Sequence, residues 1–226
     1  MVWWGGAVFT LLAASLYAWI VRQPPQSEAQ EEIAQPFPSF RQALANRAIW
    51  LLGAAFAYFN FVLVSIGTYY PTFLHEVRRY PLHTASFLAS IATLVVLFSA
   101  PAAGWLSDKL NSRRLLIAVP FLAIAVLLLF PFQVRGAGIV LLMGLQGLLV
   151  GAIPTATFAA APEVMGKPQW AGLGLAVVLF GQNIGQLMGP LVFGELVLRF
   201  DWFVAALLLI PLCWIGFLLA WKMRLR

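Results

Sequence analysis

Apolar runs of roughly twenty residues, parted by short polar breaks, fill almost the whole of this chain. The runs are Trp3–Val21, Ala48–Tyr70, His83–Leu106, Leu115–Pro131, Gly136–Ala160, Gln169–Leu198 and Trp202–Trp221, the fourth being the shortest. A hydrocarbon core about 30 Å thick is crossed by about 20 helical residues rising about 1.5 Å each, so each run reads as a span. Strands of a membrane barrel would instead show segments of about ten residues with alternating polarity. That alternation does not occur, and the pattern predicts an all-α membrane protein with seven transmembrane helices.

The composition agrees. The chain is 62% hydrophobic and 10% charged, against about 25% charged in an ordinary soluble domain. So few charges do not cover a water-facing exterior. The net charge of +6 and pI near 10.0 come from Lys and Arg scattered through the connecting loops rather than gathered on one face, so nucleic acid is not expected as a partner. One cysteine, Cys213, excludes an intrachain disulfide and a cysteine metal cluster. Met1 is followed by neither a basic stretch nor a small-residue cleavage site, so the first run reads as a helix rather than a secretory signal.

Three segments follow from the breaks: a single helix over 1–22, a linker over 23–47, and a six-helix unit over 48–226. The linker carries Pro24, Pro25, Pro36 and Pro38, and its first part is too polar to fold. Ser39 can cap a short amphipathic helix in its second part, with Phe40, Leu44 and Ile49 on one face. Later loops are short, so consecutive helices are expected to be antiparallel neighbours. With the Asp108 loop inside, the cytoplasmic side collects ten Lys and Arg, including Arg47, Lys109, Arg113, Arg114, Lys167 and Lys222. The other side holds four: Arg78, Arg79, Arg135 and Arg199. This asymmetry predicts a multi-pass protein of the plasma (inner) membrane with Met1 extracytoplasmic and Arg226 cytoplasmic. Trp3, Trp4, Tyr69, Tyr70, Trp105, Trp170, Trp202 and Trp221 fall near span ends, where interfacial anchors belong. One helix, a long linker and then six helices with tight turns read as a chain that begins in mid-architecture.

The one dense polar cluster is Gly104-Trp-Leu-Ser-Asp-Lys-Leu-Asn-Ser-Arg-Arg114. Gly104 permits close backbone approach, Asp108 can accept hydrogen bonds from a helix N-terminus or a guanidinium, and Lys109, Arg113 and Arg114 suit the headgroup level. Gly104, Leu106, Asp108, Lys109, Arg113 and Arg114 resemble the G-x-L-x-D-[RK]-x-G-x-[RK]-[RK] loop, motif A, of the major facilitator superfamily. Asn111 stands in the place of its second glycine, and Ser112 in a place often basic. Ser39–Leu51 resembles the approach to that family's seventh helix, Ala161-Pro162-Glu163 the Pro-Glu at the end of its tenth, and Gly181 to Gly194 its glycine-rich eleventh. The resemblance implies the family's helices six to twelve. Those are its carboxy-terminal half, whose six-helix unit is built from two inverted three-helix repeats. It implies that the loop is a gating latch that braces the other half in the outward-facing state. Within this chain Glu163 is the expected partner of Arg113 or Arg114.

Amides inside spans are costly in lipid and should face a cavity or another helix. Asn60, Gln182, Asn183 and Gln186 are the leading candidates for solute contact, followed by Tyr58 and Gln146; each is equally readable as an interhelical hydrogen bond. Gly181, Gly185 and Gly189 form a small-residue stripe whose first reading is close packing, with a hinge at Gly189-Pro190 as the functional alternative. No Asp, Glu, Lys or Arg lies in the middle of a span, Glu195 being the closest. Proton coupling through this chain and arginine clamping of an anionic solute are therefore both disfavoured.

The expected function is secondary active transport of a small solute by alternating access, with no enzyme activity and neither cofactor nor metal. Expected partners are the lipid bilayer, a small-molecule solute with or without a coupling ion, and either an N-terminal transporter half or a second copy. The alternatives are an inactive fragment, a self-associating half-transporter, a seven-helix receptor and an intramembrane enzyme. A retinal receptor needs a lysine inside its last span, and none precedes Lys222. An enzyme is opposed by Glu31-Glu32, which lacks the following arginine of a prenyl-protease motif, and by His75 and His83, which share an outer loop without an acyl-transfer arrangement.

Overall fold

The computed structural model describes residues 2–20, 43–110 and 112–223, with side chains from residue 5 onward. The segment expected as linker and capped by Ser39 lies outside the described residues up to position 42, as does Asn111. The chain divides into two compact units, Met1–Pro38 and Ser39–Arg226. In the first unit, α1 (Val2–Ile20) is apolar all round. Its Thr10 and Ser15 hydroxyls are turned back on its own carbonyls, Thr10 Oγ1 to Gly6 O at 2.9 Å and Ser15 Oγ to Leu11 O at 2.7 Å. That satisfies them without water.

The second unit contains α2 (Arg47–Glu76), α3 (Leu82–Leu110), α4 (Arg113–Leu127), α5 (Ala137–Val150), α6 (Ala152–Met165), a 3₁₀ turn (Pro168–Trp170), α7 (Ala171–Arg199), α8 (Trp202–Leu207) and α9 (Ile210–Lys222). Among the described residues, five stretches are long and apolar enough to cross a membrane: Arg47–Glu76, Leu82–Leu110, Ala137–Met165, Pro168–Arg199 and Trp202–Lys222. Gly5–Ile20 is a shorter apolar helix. The run expected to span through Pro131 stops at Leu127. A 15-residue α4 rises only about 22 Å. Pro131 is the reason: it lacks an N–H and disfavours helical geometry at residue 130. The chain leaves the helix by the short bonds Leu129 N–H to Val126 O and Phe130 N–H to Leu127 O.

Other boundaries also have local causes. Asn46 caps α2 by accepting from Ala48 N–H at 3.0 Å, while its Nδ2 donates to Val164 O at 2.8 Å and ties that cap to the end of α6. The far end of α2 closes with Tyr80 N–H on Leu74 O and Arg79 in the left-handed region, φ 62°. Gly166, φ 68°, ends α6 and sets Glu163 in its last turn. The α8–α9 break precedes Pro211, which has no N–H for the Leu207 carbonyl.

Helix α2 is the central post, packed against α3, α6, α7 and α9. Its closest neighbour is α7. A Cβ on Gly181 or Gly185 would fall inside the contact radius of the Gly53 or Ala57 carbonyl oxygen, and one on Gly189 would come within 2.5 Å of Phe61 O. The two helices therefore touch backbone to backbone over two turns. A second seam joins α3 to α5, where a Cβ on Gly147 would lie 2.5 Å from Ala92 O and one on Gly151 would strike Ser99. Ser99 Oγ crosses this seam to Gly147 O at 2.8 Å.

At the α2 C-terminal end, Tyr70, Phe73, Phe132, Phe193 and Trp202 form a continuous aromatic cluster. Tyr70, expected as an interfacial anchor, is instead 1% exposed within it. Arg78 closes the cluster, donating to Phe132 O at 2.8 Å and Gln133 O at 3.2 Å while its guanidinium lies 5.3 Å from the Phe73 ring centre. Arg78→Ala is expected to destabilise the unit by about 1.5 kcal/mol, the low end for charged hydrogen bonds because one of them is exposed. Thermal unfolding in detergent checks this, with Arg79→Ala as the comparison; equal midpoints for the two variants would contradict it.

Candidate functional site

Three places bear on function. The first is the basic end of the unit, where α3 hands over to α4. Arg113 begins α4 and its Nη2 lies 2.7 Å from Glu163 Oε1 in the last turn of α6. The arginine is mostly covered, 21% exposed, and the glutamate is half exposed. Arg114 reaches elsewhere, its guanidinium 3.9 Å from the Trp221 ring centre in α9. Lys109 lies 4.9 Å over Trp105. Asp108 is exposed and has no hydrogen bond or ion pair among the described residues. Gly104 has Thr155 of α6 beside it, with room for ordinary contact at 3.6 Å from a Cβ. The loop thus ties α4 to α6 and to α9 by one cation each.

The second place is the α2–α7 seam. Asn60 is 4% exposed; its Nδ2 donates to Phe56 O at 2.9 Å and its Oδ1 accepts from Gln186 Nε2 at 3.3 Å. These two amides are brought together across the seam and bond to each other. Asn183 is exposed, and its Nδ2 returns to Leu179 O one turn back at 2.7 Å. Gln182 has its Oε1 buried without a hydrogen-bond partner. Tyr58 lies on a groove of about 450 Å³ between α2 and α7, beside Gly181 and Gly185. The rest of that groove is almost wholly apolar. Pro190, next to Gly189, removes the N–H that would bond the Gln186 carbonyl.

Gln146 stands apart from all of these. It projects from α5 into a separate cavity of about 440 Å³ between α2, α3 and α5, together with Thr68, Tyr70 and Thr93. The Tyr70 hydroxyl is buried and has no partner. Hydroxyl and amide groups therefore converge here from three helices onto one space large enough for a small ligand. Sequence reading passed over Thr68 and Thr93 because threonine hydroxyls in spans so often bond their own helix. Their spacing along single helices says nothing of the convergence.

A family model described as Major Facilitator Superfamily matches residues 1–145 and 83–226 of the chain. The "Probable hexose phosphate transport protein" of Chlamydia pneumoniae is 33% identical over 89 residues, which are 38% of this chain and 20% of that protein. The "MFS-type transporter ppzB" of Metarhizium rileyi is 28% identical over 124 residues, 55% of this chain and 25% of that protein. The "Putative multidrug resistance protein MdtD" of Pectobacterium carotovorum is 26% identical over 176 residues, 76% of this chain and 37% of that protein. The chain therefore spans between 20% and 37% of the length of these relatives.

Proposed function

The chain belongs to the Major Facilitator Superfamily, and we propose that it serves membrane transport as the carboxy-terminal half of a secondary transporter, family helices six to twelve. In this reading residues 48–226 form one wall of a solute pathway, Met1 is extracytoplasmic, Arg226 is cytoplasmic, and the wall rocks against an amino-terminal half. What carries the reading is the cavity between α2, α3 and α5, lined by Gln146, Thr68 and Thr93 in an otherwise apolar unit, with Tyr70 in its wall. Alternating access needs a solute site that opens to one side at a time, and a cavity with a few convergent polar groups is its minimum form.

The wall offers hydroxyl, amide and aromatic groups and no charge. Of the solutes in the relatives' names, it is better matched to an uncharged, partly apolar molecule than to a sugar phosphate. Gln146 ranks first among the solute contacts. Asn60 and Gln186, committed to each other, are given a structural role, while Tyr58 borders the α2–α7 groove instead and Gln182 and Asn183 line neither space. The Arg113–Glu163 pair is the gate of the basic end, since it couples the start of α4 to the end of α6. The Gly189-Pro190 step supplies a bend in α7.

Solute flux into vesicles holding this chain together with an amino-terminal half, and none from the chain alone, is the expected result. Flux from the chain alone would overturn the half-transporter reading. In the same preparation, Gln146→Ala is expected to weaken solute-dependent thermal stabilisation about fivefold, the loss of one hydrogen bond of about 1 kcal/mol. Asn60→Ala is expected to lower the melting temperature with solute affinity unchanged. The reverse pattern would return the solute to the α2–α7 seam.

A further inference from the structure

Gln146 stands in two walls. Besides the open cavity it shares with Thr68 and Thr93, it lines a smaller and more enclosed void of about 20 Å³ between α2, α4, α5 and α9. Leu63, Ile66 and Val150 belong to both walls as well, so this one layer of side chains is the partition between the two spaces. On its far side the void is bounded by Leu127, Leu128 and Pro131, where α4 stops short and the chain turns away.

The void is lined by carbon. Phe59, Val62, Phe121 and Ile124 form its depth, and all four are buried. Among the residues lining it, Gln146 and Cys213 carry the only polar side-chain atoms. A buried water takes about three hydrogen bonds, and one amide with one weakly bonding thiol does not supply them. The space is therefore dry, with room for about one methyl group. Atoms around an empty space lack dispersion partners on that side, and an apolar group placed there restores them. Gln146 makes no hydrogen bond to another described residue, unlike Asn60 and Gln186, which hold each other. Its amide is thus uncommitted, on the line between a space with polar groups in its wall and an apolar one.

We infer that this void is an inner subsite of the solute cavity, and that the solute is an uncharged amphipath: its hydrogen-bonding group meets Gln146, and a slim alkyl end passes beyond to Val62 and Ile124. The inference rests on Gln146 as a solute contact and adds what an amide does not read, the shape of the apolar end. A space for one methyl group takes the tip of a straight chain and excludes a broad, branched one. Phe59, Val62, Phe121 and Ile124 are then the residues that set solute shape, although none of them faces the open cavity. A solute polar over its whole surface leaves the subsite empty and gains nothing from it.

The test uses the purified chain in neutral detergent and two isomeric probes, N-butylacetamide and N-tert-butylacetamide, which share the amide and the carbon count and differ in the shape of the apolar end. Binding is followed by ligand-observed NMR titration, with melting temperatures measured alongside. The straight isomer is expected to bind about fourfold more tightly, the burial of one methyl-sized group at about 0.8 kcal/mol. Val62→Ile, one carbon larger and directed at the void, is expected to melt at or above the parent's temperature and to erase that preference. Gln146→Ala is expected to weaken both isomers. Equal binding of the two isomers by the parent, a preference undiminished in Val62→Ile, or a lower melting temperature in that variant would overturn the inner subsite and leave Gln146 as a solute contact. Binding of neither isomer, or of both unchanged in Gln146→Ala, would overturn the solute site and the subsite with it.

Discussion

Gly185→Leu is expected to prevent the six-helix unit from assembling, with the variant recovered as aggregate while Gly144→Ala yields normal protein. Between membrane helices there is no hydrophobic gradient to hold an interface, because lipid tails are as apolar as leucine; close packing must do it. At Gly185 the partner is backbone. A Cβ there would overlap the Ala57 carbonyl oxygen and approach the Phe61 nitrogen at 2.9 Å, and a carbonyl in the middle of a helix does not rotate aside. The only relief is to push α2 and α7 apart. That would strip the contacts at Gly181 and Gly189 and break the Gln186–Asn60 bond between them. Overpacking costs roughly 1–3 kcal/mol even where side chains can shift, so parting two backbones along a whole seam costs more. Gly144 has nothing within 4 Å of its Cβ direction, which makes it the fitting comparison. Monodisperse Gly185→Leu protein with a melting temperature near that of the parent would contradict this account.

Arg113→Glu is expected to cut transport by the assembled transporter about thirtyfold, and the exchange Arg113→Glu with Glu163→Arg to restore most of it. An ion pair with one mostly covered and one half-exposed member contributes about 1 kcal/mol, and reversing one charge adds repulsion of similar size. Together these shift the balance between closed and open basic ends by about 2 kcal/mol, which is a factor of about thirty. The exchange restores opposite charges at two positions whose native side chains meet at 2.7 Å. Flux in vesicles, with surface expression of each variant measured alongside, decides it. Failure of the exchange to recover flux when both proteins reach the membrane would show that Arg113 acts through some group other than Glu163.

Much of this arrangement was legible in the amino-acid order. The apolar runs marked the spanning helices, and Gly104, Asp108, Lys109, Arg113 and Arg114 marked the family. Glu163 stood out because an acidic residue at the end of one span and basic residues at the start of another share a membrane side. The α4 end was misplaced because hydropathy continues through Pro131 although backbone geometry does not. Tyr70 was misplaced for a related reason: position near a span end does not distinguish a ring at the lipid interface from one inside an aromatic cluster. The Asn46 cap of α2 was not read from the sequence, and its second bond to Val164 needed the fold.

The sequence by itself determined that the chain is an all-helical membrane protein and which superfamily it belongs to, because both rest on local quantities: the length of an apolar run and the spacing of residues in one loop. Only the tertiary structure decided that Asn60 answers Gln186, that Gln146 belongs with Thr68, Tyr70 and Thr93, and that Arg113 and Arg114 part company toward α6 and α9. Every span satisfies the lipid equally well in any arrangement. Which helix lies against which is settled by whether a carbonyl on one fits the missing Cβ on another, and that fit is a property of two surfaces rather than of any pattern along one of them.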